Sequence, residues 1–160
     1  MKLELLDYEL LHELPGLSSA SSIAWQDGTI YVAGDTSRFL WLITPDGELC
    51  TTPVTQNADL SDEPLAKKEK PDYEGIIFDP VNRRLILFPS GSRDNRFAGS
   101  LVSLDVSGYP FTEVDYEPLF KRIKKAASIK WKDMNIEGGG RLPDGRWYLL
   151  NRGNGPKQED

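Results

Sequence analysis

Residues 75–88 read GIIFDPVNRRLILF, two apolar runs separated by a short polar break that contains aspartate and proline. Apolar, β-rich runs that flank an Asp-Pro turn are typical of a β-hairpin. We therefore expect two antiparallel strands in this segment, and the rest of the chain can be compared with them.

The same strand–turn–strand arrangement recurs on both sides of this hairpin. Residues 22–32 read SIAWQDGTIYV and residues 138–150 read GGGRLPDGRWYLL, each with an Asp-Gly turn in its middle. A second predicted hairpin follows the first two units, at residues 39–52 and 100–114. Two hairpins in succession make a four-stranded antiparallel meander, which is the unit of a propeller blade.

The sequence therefore predicts an all-β fold of about two and a half propeller blades. We assign the first blade to about residues 18–56, the second to about residues 70–116 and a partial third to about residues 132–154. Residues 1–14 contain one further strand-like stretch, which would complete the closing blade of a ring. A standalone sandwich or small barrel is the alternative architecture, although it does not require a repeated motif.

Insertions between the repeats explain their uneven spacing. Aligning Ser21, Glu74 and Glu137 gives spacings of 53 and 63 residues. Residues 57–70 are polar and charged, which predicts a loop, and residues 117–127 have apolar side chains on one side of a predicted short helix.

Composition limits the partners and the compartment. The 160-residue chain has a formal net charge of −6, so it is repelled by phosphate backbones and we expect no nucleic-acid partner. Cys50 is its one cysteine, which excludes an intrachain disulfide. Residues 1–7 carry acids where a signal peptide needs an apolar core, and no apolar run approaches membrane-spanning length. We therefore predict a cytoplasmic protein that does not contact a membrane.

Polar residues recur where each predicted unit begins and where its second strand ends. These two points lie at the same face of an antiparallel meander, so we expect the polar groups to form a binding funnel. Substrate-binding roles are predicted for Asp35, Lys70, Ser90, Ser92, Arg93, Asn151 and Arg152. The small-residue loop at residues 90–93 is expected to bind an anionic group through its backbone N–H groups and Arg93, or else to be a tight connection with an exposed arginine.

A short motif places two glutamates at equivalent positions. Residues 72–75 read DYEG and residues 135–138 read NIEG, with an acid or amide two residues before each glutamate. Strand alternation points both side chains to one side, and oxygen ligands of this kind suit calcium. The predicted metal ligands are Asp72, Glu74, Asn135 and Glu137.

Two other interpretations of this motif stay open. Glu74 and Glu137 are predicted catalytic residues if they act as general acid and base toward a substrate. In the structural interpretation, each glutamate accepts backbone N–H groups at a strand start, and the glycine that follows permits close packing. The chain contains no phosphate-binding Walker loop, dinucleotide fingerprint or zinc-ligand spacing.

Five short motifs occur in order along the chain, and their combination resembles a known group. They are SSASS at 18–22, VAGD at 32–35, KPDYEG at 70–75, PSGSR at 89–93 and NIEGG at 135–139. Together they resemble a bacterial family of uncharacterised propellers related to the phytase-like and esterase-like propeller group. The resemblance covers about residues 18–154.

This resemblance implies a six-bladed propeller of roughly twice this length, but no established activity. Relatives with phytase activity use clusters of calcium-binding carboxylates, whereas this chain has only scattered acids. Calcium-dependent lactonase propellers place a Glu-Gly at an inner strand start, and Glu74 and Glu137 are similar in that respect.

Three functional hypotheses follow from the sequence. The chain is a metal-assisted hydrolase of phosphoester, ester or lactone substrates, with calcium as the expected cofactor and a small anionic group in the ligand. Alternatively, it is a non-catalytic propeller that binds a small ligand or a protein partner, or a fragment that is inactive without further blades. An open blade edge at residues 147–151 is also expected to self-associate.

Overall fold

A computed structural model describes residues 13–17, 19–56 and 64–154, and within them the chain forms ten β-strands and one α-helix. The first four strands are β1 (Ala20–Gln26), β2 (Thr29–Gly34), β3 (Phe39–Ile43) and β4 (Leu49–Pro53). The next four are β5 (Tyr73–Asp79), β6 (Arg84–Pro89), β7 (Ala98–Ser103) and β8 (Phe111–Asp115). The last elements are α1 (Glu117–Ala127), a single 3₁₀ turn (Trp131–Asp133), β9 (Ile136–Arg141) and β10 (Trp147–Asn151).

The strands form three antiparallel sheets whose order follows the chain. The first sheet is β1-β2-β3-β4, the second is β5-β6-β7-β8, and the third pairs β9 with β10. The turn from β1 to β2 is tight because Asp27 and Gly28 both have positive φ angles, 52° and 82°, as the twist of a two-residue hairpin requires. The predicted all-β class, the two four-stranded meanders and the helix at residues 117–127 are confirmed.

The second sheet is buried on both faces. Along β6, Leu85 and Leu87 belong to an apolar core shared with Tyr31 and Ala33 of the first sheet. Ile86 and Phe88, which alternate with them, belong to a second core with Phe120 of α1, Met134 after the 3₁₀ turn and Ile136 of β9. Successive strand residues point to opposite faces, so β6 contributes to both cores at once.

The first strands of the three sheets lie side by side. β5 contacts β1 of the preceding sheet and β9 of the following one. The contact with β9 is close because glycines meet there: a Cβ atom on Gly75 would lie 3.6 Å from the Cα atom of Gly138. The starts of these strands therefore share one end of the molecule.

Each of these first strands begins with the same irregularity. The pairing register shifts by one residue between Ala20 and Ser22 in β1, between Tyr73 and Gly75 in β5, and at the start of β9 beside Asn151. The residues skipped by these shifts are Ser21, Glu74 and Glu137. A β-bulge leaves one residue outside the ladder and redirects its side chain, so all three aligned positions are released from strand pairing.

Some sequence-based assignments lie outside this description. The strand-like stretch predicted at residues 1–14 falls almost entirely on residues 1–12, and parts of the first blade boundary and of the 57–70 loop are likewise not described. In the described part of the chain, no helix has the length and apolar character needed to cross a bilayer.

Candidate functional site

A polar cavity of about 380 Å³ opens at the end of the molecule where the bulges lie. It is lined by Lys70, Asp72, Glu74, Ser92, Arg93, Arg96, Asn135, Glu137, Arg152 and Asn154. These residues come from the starts of β5 and β9, the loop after β6 and the segment after β10. Four cationic and three acidic side chains therefore face one space, which suits a charged or strongly polar ligand.

Asp72 is the most buried acid of the cavity. Its carboxylate accepts hydrogen bonds from Ser90 and from Arg96, the latter at 2.8 Å, and it pairs with the Lys70 ammonium at 2.6 Å. Its backbone φ is +60°, a left-handed conformation that aspartate tolerates better than most residues. Backbone hydrogen bonds fix this conformation, because the Asp72 N–H donates to the Asp35 carbonyl and the Ser90 N–H donates to the Asp72 carbonyl.

Lys70 joins the first and second sheets at the cavity wall. Its Nζ atom lies 2.5 Å from Asp35 Oδ2 and 2.6 Å from Asp72 Oδ1. Burial lowers the pKa of Lys70, but the hydrogen bonds that its ammonium donates to Asp35 and Asp72 outweigh burial and raise the pKa above its usual value. The ammonium therefore stays charged and neutralises part of both carboxylates.

Glu74 differs from its acidic neighbours because no other described residue forms a hydrogen bond or an ion pair with its carboxyl group. Burial raises the pKa of Glu74 from 4.5 to about 7, with further contributions from the negative charges of Asp72, Glu137 and Asp35. The side chain is half-buried and lines the cavity. Near neutral pH, its protonated and ionised forms are both populated.

Glu137, in the equivalent bulge, has partners. Its Oε1 atom accepts a hydrogen bond from the Asn135 amide at 2.7 Å and lies 3.3 Å from a guanidinium nitrogen of Arg152. The backbone N–H of Asn135 in turn donates to Asn151 Oδ1 at 2.7 Å. Two glutamates at matching positions thus occupy different environments: Asn135 and Arg152 bind Glu137, whereas no described side chain binds Glu74.

One group of carboxylates lies close enough together to hold a cation. Oxygen atoms of Asp35, Asp72 and Glu74 all lie within 4.8 Å of one another. Of the four predicted metal ligands, Asp72 and Glu74 belong to this group, whereas Asn135 and Glu137 hydrogen-bond to each other on the β9 side of the cavity. Asp35, which was predicted to bind substrate, is the third member of this carboxylate group.

Most of the residues predicted from sequence come together at this cavity. Lys70, Ser92, Arg93 and Arg152 line it, together with the four predicted metal ligands. Ser90 is fully buried behind the wall and supports Asp72, and Asn151 is exposed and holds the loop before β9 through its bonds to Asn135 and Asp133. Their predicted contact with a substrate stays a prediction.

Arg96 lines the cavity but was not among the residues predicted from the sequence. Its side chain is only 10% exposed, and its Nη1 atom contacts both Asp72 and Ser92, the latter at 2.7 Å. Its Nε atom has no hydrogen-bond partner within the described residues. Nothing local distinguishes Arg96 from Arg93 in the polar segment 90–96, because the burial of Arg96 depends on Asp72 from another loop.

A family model described as "Family of unknown function (DUF6929)" matches residues 16–160. This match agrees with the uncharacterised family expected from the sequence motifs. No curated protein matches the chain.

Proposed function

Because the chain belongs to the DUF6929 family of unknown function, membership brings no activity with it, and we propose from the cavity itself that the protein hydrolyses a small anionic ester, lactone or phosphoester. The observation that carries this proposal is Glu74, a carboxyl group with a pKa near 7 in a cavity that three guanidinium groups share. A carboxyl group that can both accept and release a proton at neutral pH is suited to general acid–base catalysis.

In the proposed reaction, ionised Glu74 accepts a proton from a water molecule as the water oxygen attacks the carbonyl carbon or the phosphorus atom. The bond to the leaving oxygen then breaks, and protonated Glu74 returns the proton to that oxygen. One water molecule is consumed, and Glu74 ends in its starting state. Its lack of a fixed partner among the described residues leaves the carboxyl group available for this exchange.

We propose that the cationic residues of the cavity bind the anionic group of the substrate. Arg93, in the loop after β6, and Arg152, directly after β10, both line the cavity. Guanidinium groups bind carboxylate and phosphate through two parallel hydrogen bonds. Arg96 faces the same space from its buried position. With Glu74 protonated, the lining side chains have four positive and two negative charges, and an anionic ligand restores the balance.

The proposal includes the architecture around the cavity. We interpret the sheets as neighbouring blades of a propeller, with β1, β5 and β9 as the inner strands around its axis. The support is the consecutive meander order, the side-by-side packing of these three strands and the repeated bulge at their starts. The cavity would then be one sector of a funnel at that axis.

A panel of a p-nitrophenyl ester that carries a carboxylate, a γ-lactone that carries a carboxylate and p-nitrophenyl phosphate tests the hydrolase proposal. We expect turnover of at least one class, and Glu74→Gln should lower kcat about 100-fold or more, because glutamine cannot accept the proton. Glu48→Gln, at an exposed position in the turn between β3 and β4, is the matched control and should leave kcat unchanged. Turnover by the wild type that Glu74→Gln leaves intact contradicts the proposed role of Glu74.

Calcium binding is the second candidate function. It is favoured by the three neighbouring carboxylates of Asp35, Asp72 and Glu74, whose oxygen atoms lie within 4.8 Å of one another. Oxygen ligands suit this ion, which would supply Lewis-acid polarisation of the substrate oxygen. However, the Lys70 ammonium already lies within 2.6 Å of two of these carboxylates. A calcium ion held by all three would have to compete with a cation that the chain itself provides.

Thermal unfolding with and without 1 mM calcium separates these cases. We expect no shift for the wild type and a rise of several degrees for Lys70→Met, since removing the ammonium leaves three carboxylates for the ion to bind. Lys121→Met, at an exposed helix position, should show no shift. Calcium stabilisation of the wild type would instead favour metal-assisted hydrolysis.

A further inference from the structure

Three of the four cationic side chains that line the cavity are neutralised by carboxylates of the chain. Lys70 and Arg96 both pair with Asp72, at 2.6 and 2.8 Å. Arg152 lies 3.3 Å from Glu137 at the opposite wall. A ligand that bound any of these three cations would have to share it with a carboxylate or to displace that carboxylate.

Arg93 is the fourth cation of the cavity, and its guanidinium group forms no hydrogen bond or ion pair with any other residue that the structure describes. Its side chain is exposed and lines the cavity. An unpaired guanidinium offers a rigid fork of N–H donors whose geometry matches a carboxylate. Arg93 is therefore the cation that a ligand can bind without breaking an ion pair among the described residues.

The loop that carries Arg93 is held in place on both sides of that residue. The Gly91 N–H donates to the Arg96 carbonyl at 3.1 Å, and the Arg96 N–H donates to the Arg93 carbonyl at 2.9 Å. Gly91 also packs closely on α1, since a Cβ atom there would lie 3.0 Å from the ring of Phe120. Because the backbone is fixed, binding of a ligand has to order only the Arg93 side chain, which lowers the entropic cost of binding.

The hydroxyl group of the neighbouring residue, Ser92, is committed to the chain. Ser90 Oγ donates its hydrogen to Asp72, so the 2.9 Å contact between the two serine hydroxyls must use the hydrogen of Ser92. Ser92 Oγ also accepts a hydrogen bond from Arg96 Nη1 at 2.7 Å. On this side of the cavity, Arg93 therefore provides the side-chain donors for a ligand.

The ion pairs also limit how much negative charge a ligand can bring. Counting Asp35, which shares the Lys70 ammonium with Asp72, three carboxylates balance the three paired cations. One positive charge remains, on Arg93, whichever protonation state Glu74 has. A carboxylate brings one negative charge, whereas a phosphomonoester brings close to two at neutral pH. The second charge would meet no free cation among the described residues that line the cavity.

We propose that Arg93 determines the specificity of the cavity and that it binds a ligand through a single carboxylate, held by two parallel hydrogen bonds. The inference rests on the proposed function and narrows its substrate class. Esters and lactones that carry one carboxylate are selected, and phosphomonoesters are rejected. Arg93 acts here by binding the anionic group, and the proton transfer stays with Glu74.

Isothermal titration calorimetry on the full chain at pH 7 tests this inference without turnover. The two probes are γ-hydroxybutanoate, which has one carboxylate, and hydroxypropyl phosphate, a phosphomonoester of similar length. We expect the wild type to bind the carboxylate at least about 10-fold more tightly than the phosphate.

Substitutions of Arg93 separate its charge from its geometry. Arg93→Gln should raise the Kd of the carboxylate about 10-fold or more, because two charge-assisted hydrogen bonds are lost. Arg93→Lys keeps the charge but not the planar pair of donors, so it should recover only part of the affinity. Arg122→Gln, at an exposed position of α1 outside the cavity lining, is the matched control and should leave the Kd unchanged.

Glu137→Gln provides the reverse test. It releases Arg152 from its ion pair and so gives the cavity a second free cation. The phosphate probe should then bind about 10-fold more tightly to this variant than to the wild type. An unchanged affinity for the phosphate probe would mean that the ion pairs do not set the charge preference, which overturns the proposal.

The proposal also fails if the wild type does not bind the carboxylate at about 10 mM, if it binds the phosphate probe at least as tightly, or if Arg93→Gln binds the carboxylate as the wild type does. These outcomes are separate from those of the hydrolase proposal. Binding that depends on Arg93 without turnover of any substrate contradicts hydrolysis alone. Turnover that depends on Glu74, with Kd and KM unaffected by Arg93→Gln, contradicts the role of Arg93 alone. Circular dichroism must first show that each variant is folded.

Discussion

At Asp72, a single side chain fixes the position of three others. Its carboxylate forms ion pairs with the Lys70 ammonium and the Arg96 guanidinium and accepts a hydrogen bond from the Ser90 hydroxyl. Its backbone, which has a left-handed conformation, hydrogen-bonds to the Asp35 carbonyl and to the Ser90 N–H. Removing one partner of a buried ion pair leaves the other charge without compensation, which costs more than the pair itself contributes. Asp72 therefore acts as a support for the cavity wall, and the lining cations depend on it.

The free carboxyl group of Glu74 predicts an unusual pH dependence of stability. Its pKa is near 7 in the folded protein and near 4.5 when unfolded, so the folded state binds more protons between these values. The free energy of unfolding must then fall as the pH rises from about 4.5 to 7. Glu74→Gln removes this loss. The free energy of unfolding of the variant relative to the wild type should therefore rise by about 1 kcal/mol from pH 5 to pH 8. This value is reduced because solvent screens the charge of a half-exposed group.

Urea denaturation at pH 5 and pH 8 measures this difference for both proteins. Glu48→Gln serves again as the control, because Glu48 is exposed in the turn between β3 and β4. If the stability of Glu74→Gln relative to the wild type is the same at both pH values, Glu74 titrates as an ordinary surface acid. The same titration should appear in catalysis as a rate that rises with pH through about 7, since the ionised form is the proton acceptor.

Among the elements, β7 lies very close to its neighbours at Gly99. A Cβ atom there would lie 2.4 Å from the Leu87 carbonyl oxygen and 2.4 Å from the ring of Tyr116. Gly99→Ala should therefore destabilise the protein by about 2–3 kcal/mol, because neither a strand carbonyl nor a buried ring can move freely. Thermal unfolding should show a melting temperature lowered by roughly 5–10 °C.

Gly138→Ala is the matched comparison, since it also places a methyl group on a strand. The nearest atom to that methyl group would be a Leu150 methyl carbon at 3.9 Å, an ordinary contact. We expect a change within about 0.5 kcal/mol. Equal losses at both positions would mean that strand glycines matter here for backbone freedom and that the close approach at Gly99 is unimportant.

The elements were predictable because their signals are local. The Asp-Gly turn at residues 27–28 and the apolar alternation around it specify a hairpin without reference to the rest of the chain. The alignment of Ser21, Glu74 and Glu137 was likewise visible, since the repeat carries it. The bulges were not, because a one-residue shift in register depends on how two strands meet. Arg96 escaped prediction for the same reason, as its partner Asp72 lies in a different loop.

For the whole molecule, the second sheet is the structural centre of the described chain. Tyr73 at its start donates a hydrogen bond to the Val54 carbonyl at 2.9 Å and contacts Ser100 at 3.0 Å, so it joins the first two sheets within their core. At the other end, Arg83 bridges Asp27 of the first sheet and Asp105 of the second. Because these ties accompany two apolar cores, we expect the described sheets to unfold together.

The repeated bulge also has an evolutionary consequence. The residue it releases takes no part in strand pairing, so its identity can change with little cost to the sheet that holds it. The three positions already differ in character: Ser21 donates to the Tyr73 carbonyl, Glu74 is unpaired within the described residues, and Glu137 is bound by Asn135 and Arg152. We therefore expect single substitutions at these bulge positions to change the chemistry of the site during evolution while the sheets keep their structure.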